Sequence, residues 1–75
     1  MKSNLVAIIN RLEAMMETEE GTVQTRRFEH EGDLKAEVIF DSEEKIFTLK
    51  ETKTGFVSTF DDIDIVAMEI YDLIF

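Results

Sequence analysis

The stretch Arg26-Arg27-Phe28-Glu29-His30-Glu31-Gly32-Asp33-Leu34-Lys35-Ala36-Glu37-Val38-Ile39-Phe40-Asp41 decides the architecture. Its hydropathy alternates with period two, the signature of half-buried strands. One parity carries Phe28, Leu34, Ala36, Val38 and Phe40, and the other carries Arg27, Glu29, Lys35, Glu37 and Asp41. Glu31-Gly32-Asp33 reads as the turn between strands Arg26–Glu31 and Leu34–Asp41. Charge tests the register. Opposing Phe28 with Ala36 also opposes Glu29 with Lys35 and Arg27 with Glu37, two opposite-charge pairs of roughly 0.2–1 kcal/mol each. A one-residue slip would set Phe28 against Lys35 and mix the faces.

Downstream, the turn Ser42-Glu43-Glu44-Lys45 leads into a strand Lys45–Glu51. Opposing Phe40 with Phe47 and Val38 with Leu49 places Glu37 against Lys50, a solvated ladder that specifies register more than it stabilises. The turn Thr52-Lys53-Thr54-Gly55 leads to a last strand, Phe56–Phe60, with Phe56 and Phe60 on the inward parity. Upstream, Thr22–Thr25 either extend the first strand or lead into it. Before them Leu5, Ile8, Ile9, Leu12, Met15 and Met16 recur at helical spacing. Ser3 or Asn4 can cap this helix, and Thr18-Glu19-Glu20-Gly21 ends it. At the other end Asp61 is placed to cap a second helix. Asp62 and Asp64 then lie in its first turn, and Asp64 has capping-box spacing from Asp61.

The reading is a single domain, residues 1–75, of class α+β in the order α-β-β-β-β-α. The sheet is an antiparallel meander, because every connection is short. The two terminal helices pack on the face carrying Phe28, Leu34, Ala36, Val38, Phe40, Phe47, Leu49, Phe56 and Phe60.

The second helix is more apolar than a helix lying on a sheet requires. From Ile63 to Phe75 only Asp64, Glu69 and Asp72 are polar. These three span an arc of roughly 140° at about 100° per residue, which leaves roughly 220° apolar, whereas a stripe about 100° wide suffices to cover a sheet. Ile63, Val66, Ala67, Ile70 and Ile74 supply that stripe, which leaves Ile65, Met68, Tyr71 and Phe75 over. Some of this surplus can pack on the first helix, at Met15 and Met16, and in a monomer the helix can be sunk between sheet and helix. The remainder points to a partner, by default a second copy in a symmetric homodimer. A weaker candidate surface is the other sheet face, where Ile39, Ile46 and Val57 cluster.

Composition narrows the rest. A chain of 75 residues buries only about 60% of its unfolded surface, and it has no cysteine to supply disulfides or thiolate ligands. Oligomerisation is the remaining common supplement to a small core. The net charge of −9 repels phosphate backbones and anionic headgroups, so neither nucleic acid nor a membrane surface is expected as partner. The N-terminal stretch reads as neither signal peptide nor membrane span, which fits the cytoplasm.

Motifs with chemical potential each have a plainer structural reading. Asp61, Asp62 and Asp64 suit a hard cation but lack the glycine and distal glutamate of a calcium loop; they also suit a helix start. His30 has no serine or cysteine placed as its nucleophile and reads as a solvated turn residue. Arg26 shares the inward parity of Phe28; it either holds an anion between sheet and helix, or snorkels at the sheet margin or pairs with a helix carboxylate. Met15, Met16 and Met68 read as packing. Neither a phosphate loop nor a cofactor fingerprint is present, so no enzyme activity and no cofactor are expected. Two functional readings remain: a homo-oligomeric interaction module using Ile65, Met68, Tyr71 and Phe75, and a protein binding a small ligand or cation in the cleft between helices and sheet.

The segments Leu5-Val6-Ala7-Ile8-Ile9-Asn10-Arg11-Leu12, Arg27-Phe28-Glu29, the aromatic pair Phe40 and Phe47, and above all Phe60-Asp61-Asp62-Ile63-Asp64-Ile65-Val66-Ala67-Met68-Glu69-Ile70-Tyr71 carry a resemblance. In these residues the chain resembles the YkuJ-like family of small uncharacterised proteins from Gram-positive bacteria. The resemblance implies an antiparallel sheet with flanking helices and a cytoplasmic bacterial protein. It implies no activity and no catalytic residue.

Overall fold

The computed structural model describes residues 4–17 and 21–75. In chain order the elements are α1 (Asn4–Met16), β1 (Val23–His30), β2 (Asp33–Asp41), β3 (Ile46–Glu51), β4 (Val57–Phe60) and α2 (Ile63–Ile74). The strands form one antiparallel sheet in the order β1-β2-β3-β4, the expected meander. Thr22–Thr25 resolve into one residue before β1 and three within it. Asn4 is the first helical residue of α1. Ser3 and Thr18-Glu19-Glu20, read above as cap and terminus, lie outside the described residues.

One core joins the elements. Ile8, Leu12 and Met15 of α1 and Val66, Ala67 and Ile70 of α2 meet Phe28, Ala36, Val38, Phe40, Phe47 and Leu49 of the sheet. The helices pack side by side, and α2 touches all four strands. Each large apolar side chain buried here contributes roughly 1.5–3 kcal/mol. Phe40 and Phe47 add a ring contact at 4.7 Å between centroids. Among the described residues, no helix is long and apolar enough to cross a membrane.

The β2–β3 hairpin has the expected register: Phe40 opposes Phe47, Val38 opposes Leu49 and Glu37 opposes Lys50. In the β1–β2 hairpin Phe28 opposes Ala36 and Arg27 opposes Glu37, with Arg27 Nε 3.7 Å from Glu37 Oε2. The expected Glu29–Lys35 pair does not form, because the ladder shifts after Phe28 and Glu29 opposes Leu34 instead. The turn is the cause. Glu31 and Gly32 both have positive φ, 52° and 78°, as a two-residue type I′ hairpin turn requires. A turn that tight pairs His30 with Asp33, one residue out of step with the register the core demands. A β-bulge at Lys35 takes up the difference. Lys35 turns to Asp33, with Nζ 3.1 Å from Oδ2, and its carbonyl accepts a hydrogen bond from Thr52 N–H. Leu34 therefore shares the parity of Glu29 and is absent from the core, contrary to its assignment from alternation.

Two further assignments change. Phe56 precedes β4 and is 65% exposed. It sits at a sheet corner beside Glu51, whose N–H donates to Phe56 O at 2.9 Å; the adjoining inward position thus holds a charged, partly buried residue and not an apolar one. The cap of α2 is Asp62, not Asp61: β4 runs to Phe60, and Asp62 keeps extended φ and ψ while its carboxylate accepts from Asp64 N–H at 2.9 Å. Ser42 has a role that its position in a turn does not announce. Its buried hydroxyl donates to Thr22 O at 2.6 Å and accepts from Thr22 N–H at 2.8 Å, tying the start of β1 to the end of β2.

Candidate interaction surface

The geometry of α2 follows from its sequence once Asp62 fixes the start. Val66, Ala67 and Ile70 are fully buried, and Ile63, Leu73 and Ile74 pack partly against the core. The remaining apolar side chains stay at the surface: Ile65 is 50% exposed, Met68 59%, Tyr71 37% and Phe75 53%. Taking about 100° per residue, the outer face reads across the helix Tyr71, Asp64, Phe75, Met68, Asp72, Ile65, Glu69, an arc of about 160°. Ile65, Met68 and Phe75 thus lie inside the polar arc rather than beside it. Asp64, Glu69 and Asp72 are all exposed, so the face alternates oily and anionic side chains.

Both ends of this face open into shallow hollows. Near the start of α2, Ile65 lines one of about 280 Å³ with Ile46, Thr59, Phe60, Asp61 and Asp62. At the far end Phe75 lines another of about 160 Å³ with Ile74, Phe28, Glu29, Ile8, Arg11, Ala7 and Asn4. This second hollow is the opening between helices and sheet at their margin; the interior beneath is filled by the core.

His30 is not the solvated turn residue expected from its neighbours. It ends β1, is partly buried, and stands edge-on to Phe75 with centroids 5.0 Å apart. Phe75 in turn lies 5.2 Å from Tyr71. The three rings link the α2 terminus to the first hairpin. Alternation cannot reveal this contact, since it joins residues 45 positions apart.

The other candidates separate. Asp61, Asp62 and Asp64 are exposed around the helix start, and among the described residues no group of three or more His, Cys, Asp or Glu is arranged to hold a metal ion. Arg26 is exposed on β1 opposite Val38, whereas Arg11 lies over the Phe28 ring at 5.8 Å. Met15 is core, and Met16 is exposed. On the uncovered sheet face Ile39 and Ile46 are partly buried and Val57 exposed, with exposed Val23 of β1 on the same parity. There the anion Glu37 lies between the cations Arg27 and Lys50.

Residues 8–74 match the family model described as Protein of unknown function (DUF1797). The solved structure of the YkuJ protein from Bacillus subtilis is similar to this chain, with a TM-score of 0.89 and 31% sequence identity over 96% of this chain and 98% of that one. No curated protein matches. Family model and whole-length structural likeness agree: the chain belongs to DUF1797, the YkuJ-like proteins, whose function is unknown.

Proposed function

We propose that this chain is a non-catalytic, cytoplasmic interaction module that assembles with a second copy of itself through the outer face of α2. The carrying observation is the exposure of Ile65, Met68, Tyr71 and Phe75 on one helix whose opposite face already satisfies the core. A stable dimer needs about 800 Å² from each copy, and the chain exposes 5241 Å² in all. The four side chains are 37–59% exposed, so they supply the apolar centre of such a contact, and the exposed carboxylates beside them and the rims of the two hollows supply the remainder. The non-catalytic part of the reading is supported by the openings themselves. They are shallow and marginal, whereas a catalytic site gathers convergent polar groups in a deep concave pocket.

Light scattering on the eluting protein across a wide concentration range tests the proposal. A dimer mass that falls to the monomer value in Met68→Ser and Ile65→Ser, with helix content unchanged, is the expected result. A concentration-independent monomer mass for the parent chain overturns it.

A further inference from the structure

We infer that the outer face of α2 is matched to a cationic amphipathic helix of another protein, which displaces the second copy. The inference rests on reading this face as a contact surface, and not on self-association. From Gly55 to Phe75 the sequence carries five carboxylates and no lysine or arginine. Three of them, Asp64, Glu69 and Asp72, are exposed among Ile65, Met68 and Phe75. A second copy covers the oily residues but brings its own three carboxylates to the same contact, in a molecule already at −9. Like charges brought together across an interface act against that occupant. A helix with leucines at i, i+3, i+4 and i+7 and lysines flanking them covers the same apolar row and meets the carboxylates with opposite charge. The row runs from Ile65 to Phe75, about 15 Å along the axis, enough for a partner helix lying alongside at about 8–10 Å. The hollows beside Ile65 and Phe75 admit large side chains at its two ends.

The experiment titrates a labelled helical Leu/Lys peptide into the full chain, following anisotropy and mass together. Expected is saturable binding to one copy of the chain, with loss of any dimer. Affinity should fall by roughly tenfold or more between about 50 and about 300 mM salt, whereas self-association should strengthen over the same range as repulsion is screened. A Leu/Glu peptide and a scrambled Leu/Lys peptide without an apolar face should bind at least about tenfold more weakly. Two variants of equal net charge separate site from bulk charge. The triple change Asp64→Asn, Glu69→Gln and Asp72→Asn should weaken peptide binding about tenfold, as three partly exposed pairs would. Glu13→Gln, Glu43→Gln and Glu44→Gln should leave it within about twofold, since none of the three stands on α2. Ile65→Ser with Met68→Ser tests the apolar half and should also lose the peptide. Equal weakening by the two triple variants, or no preference for Leu/Lys over Leu/Glu, overturns the inference. A monomeric parent chain that still binds the peptide at this face removes the dimer alone and leaves the inference standing.

Discussion

The β1–β2 hairpin and the helix α2 each meet a conflict between two demands, and they resolve it differently. In the hairpin, the tight turn at Glu31-Gly32 and the core register set by Phe28 and Ala36 differ by one residue. The chain absorbs the difference internally through the bulge at Lys35, whose side chain and carbonyl both find partners. In α2 the demand of the core is met by one face, and the surplus apolar residues remain at the surface. A conflict absorbed within the chain leaves an irregularity in a strand. A conflict left unabsorbed leaves a surface, and that is where association is to be sought.

Deleting single residues from β2 tests the first half of this contrast and should give the largest effect. Removing Ile39 carries Ala36 and Val38 to the outward parity and Lys35 and Glu37 inward, even if the bulge is given up to keep Phe40 opposite Gln24, since strand faces alternate with period two. A small domain with about 5–15 kcal/mol of stability should not survive this, and circular dichroism should show an unfolded chain. Removing Lys35 instead takes out the extra residue and leaves Leu34 opposite Glu29 and Ala36 opposite Phe28. The cost should be about 1 kcal/mol, for the lost hydrogen bond from Thr52. Comparable unfolding by both deletions would show that the bulge is required for the sheet's shape and does not merely reconcile two registers.

The second half is tested on α2 by truncating either face. Ile70→Ala removes a fully buried side chain and should cost about 2–5 kcal/mol in urea unfolding. Met68→Ser, on the outer face, should change monomer stability by no more than about 0.5 kcal/mol while reducing association. A large loss of stability in dilute Met68→Ser would mean that the outer face serves the monomer fold after all. Between these lies Asp62→Ala, which leaves the Asp64 amide without its cap. It should cost about 1 kcal/mol, against no measurable loss for Asp61→Ala.

The same contrast explains what could be read from the chain itself. Elements, strand order and the β2–β3 register were legible because hydropathy and charge choose one answer for Phe40, Phe47, Glu37 and Lys50. The outer residues of α2 were legible by subtraction, once a stripe was assigned to the core. Alternation failed at Leu34 because a turn geometry of one residue's difference overrode it, although Glu31-Gly32 carries the chemistry of a two-residue turn. Phe56 was misplaced because parity gives a face and not a distance from the helices. The His30–Phe75 contact depends on how far α2 reaches along the sheet, which no local pattern encodes.

The smallest expected effect returns to the bulge and asks whether the internal solution is as complete as the geometry suggests. The hydrogen bond from Lys35 holds the Asp33 carboxyl below its ordinary value, the charge of Lys35 acts in the same direction, and that of Lys53 adds a lesser contribution against slight desolvation. A carboxyl with a depressed folded-state pKa contributes stability above its unfolded value of about 4, and that contribution fades as pH falls through the folded value. Asp33 is exposed, so the readout is titration and not unfolding. Followed by NMR, the Asp33 carboxyl should titrate at higher pH in Lys35→Ala than in the parent chain, with a smaller displacement in Lys53→Ala. An unmoved Asp33 in Lys35→Ala would mean that the bulged lysine is solvated in place of pairing. The hairpin would then resemble α2, with a side chain left over at the surface.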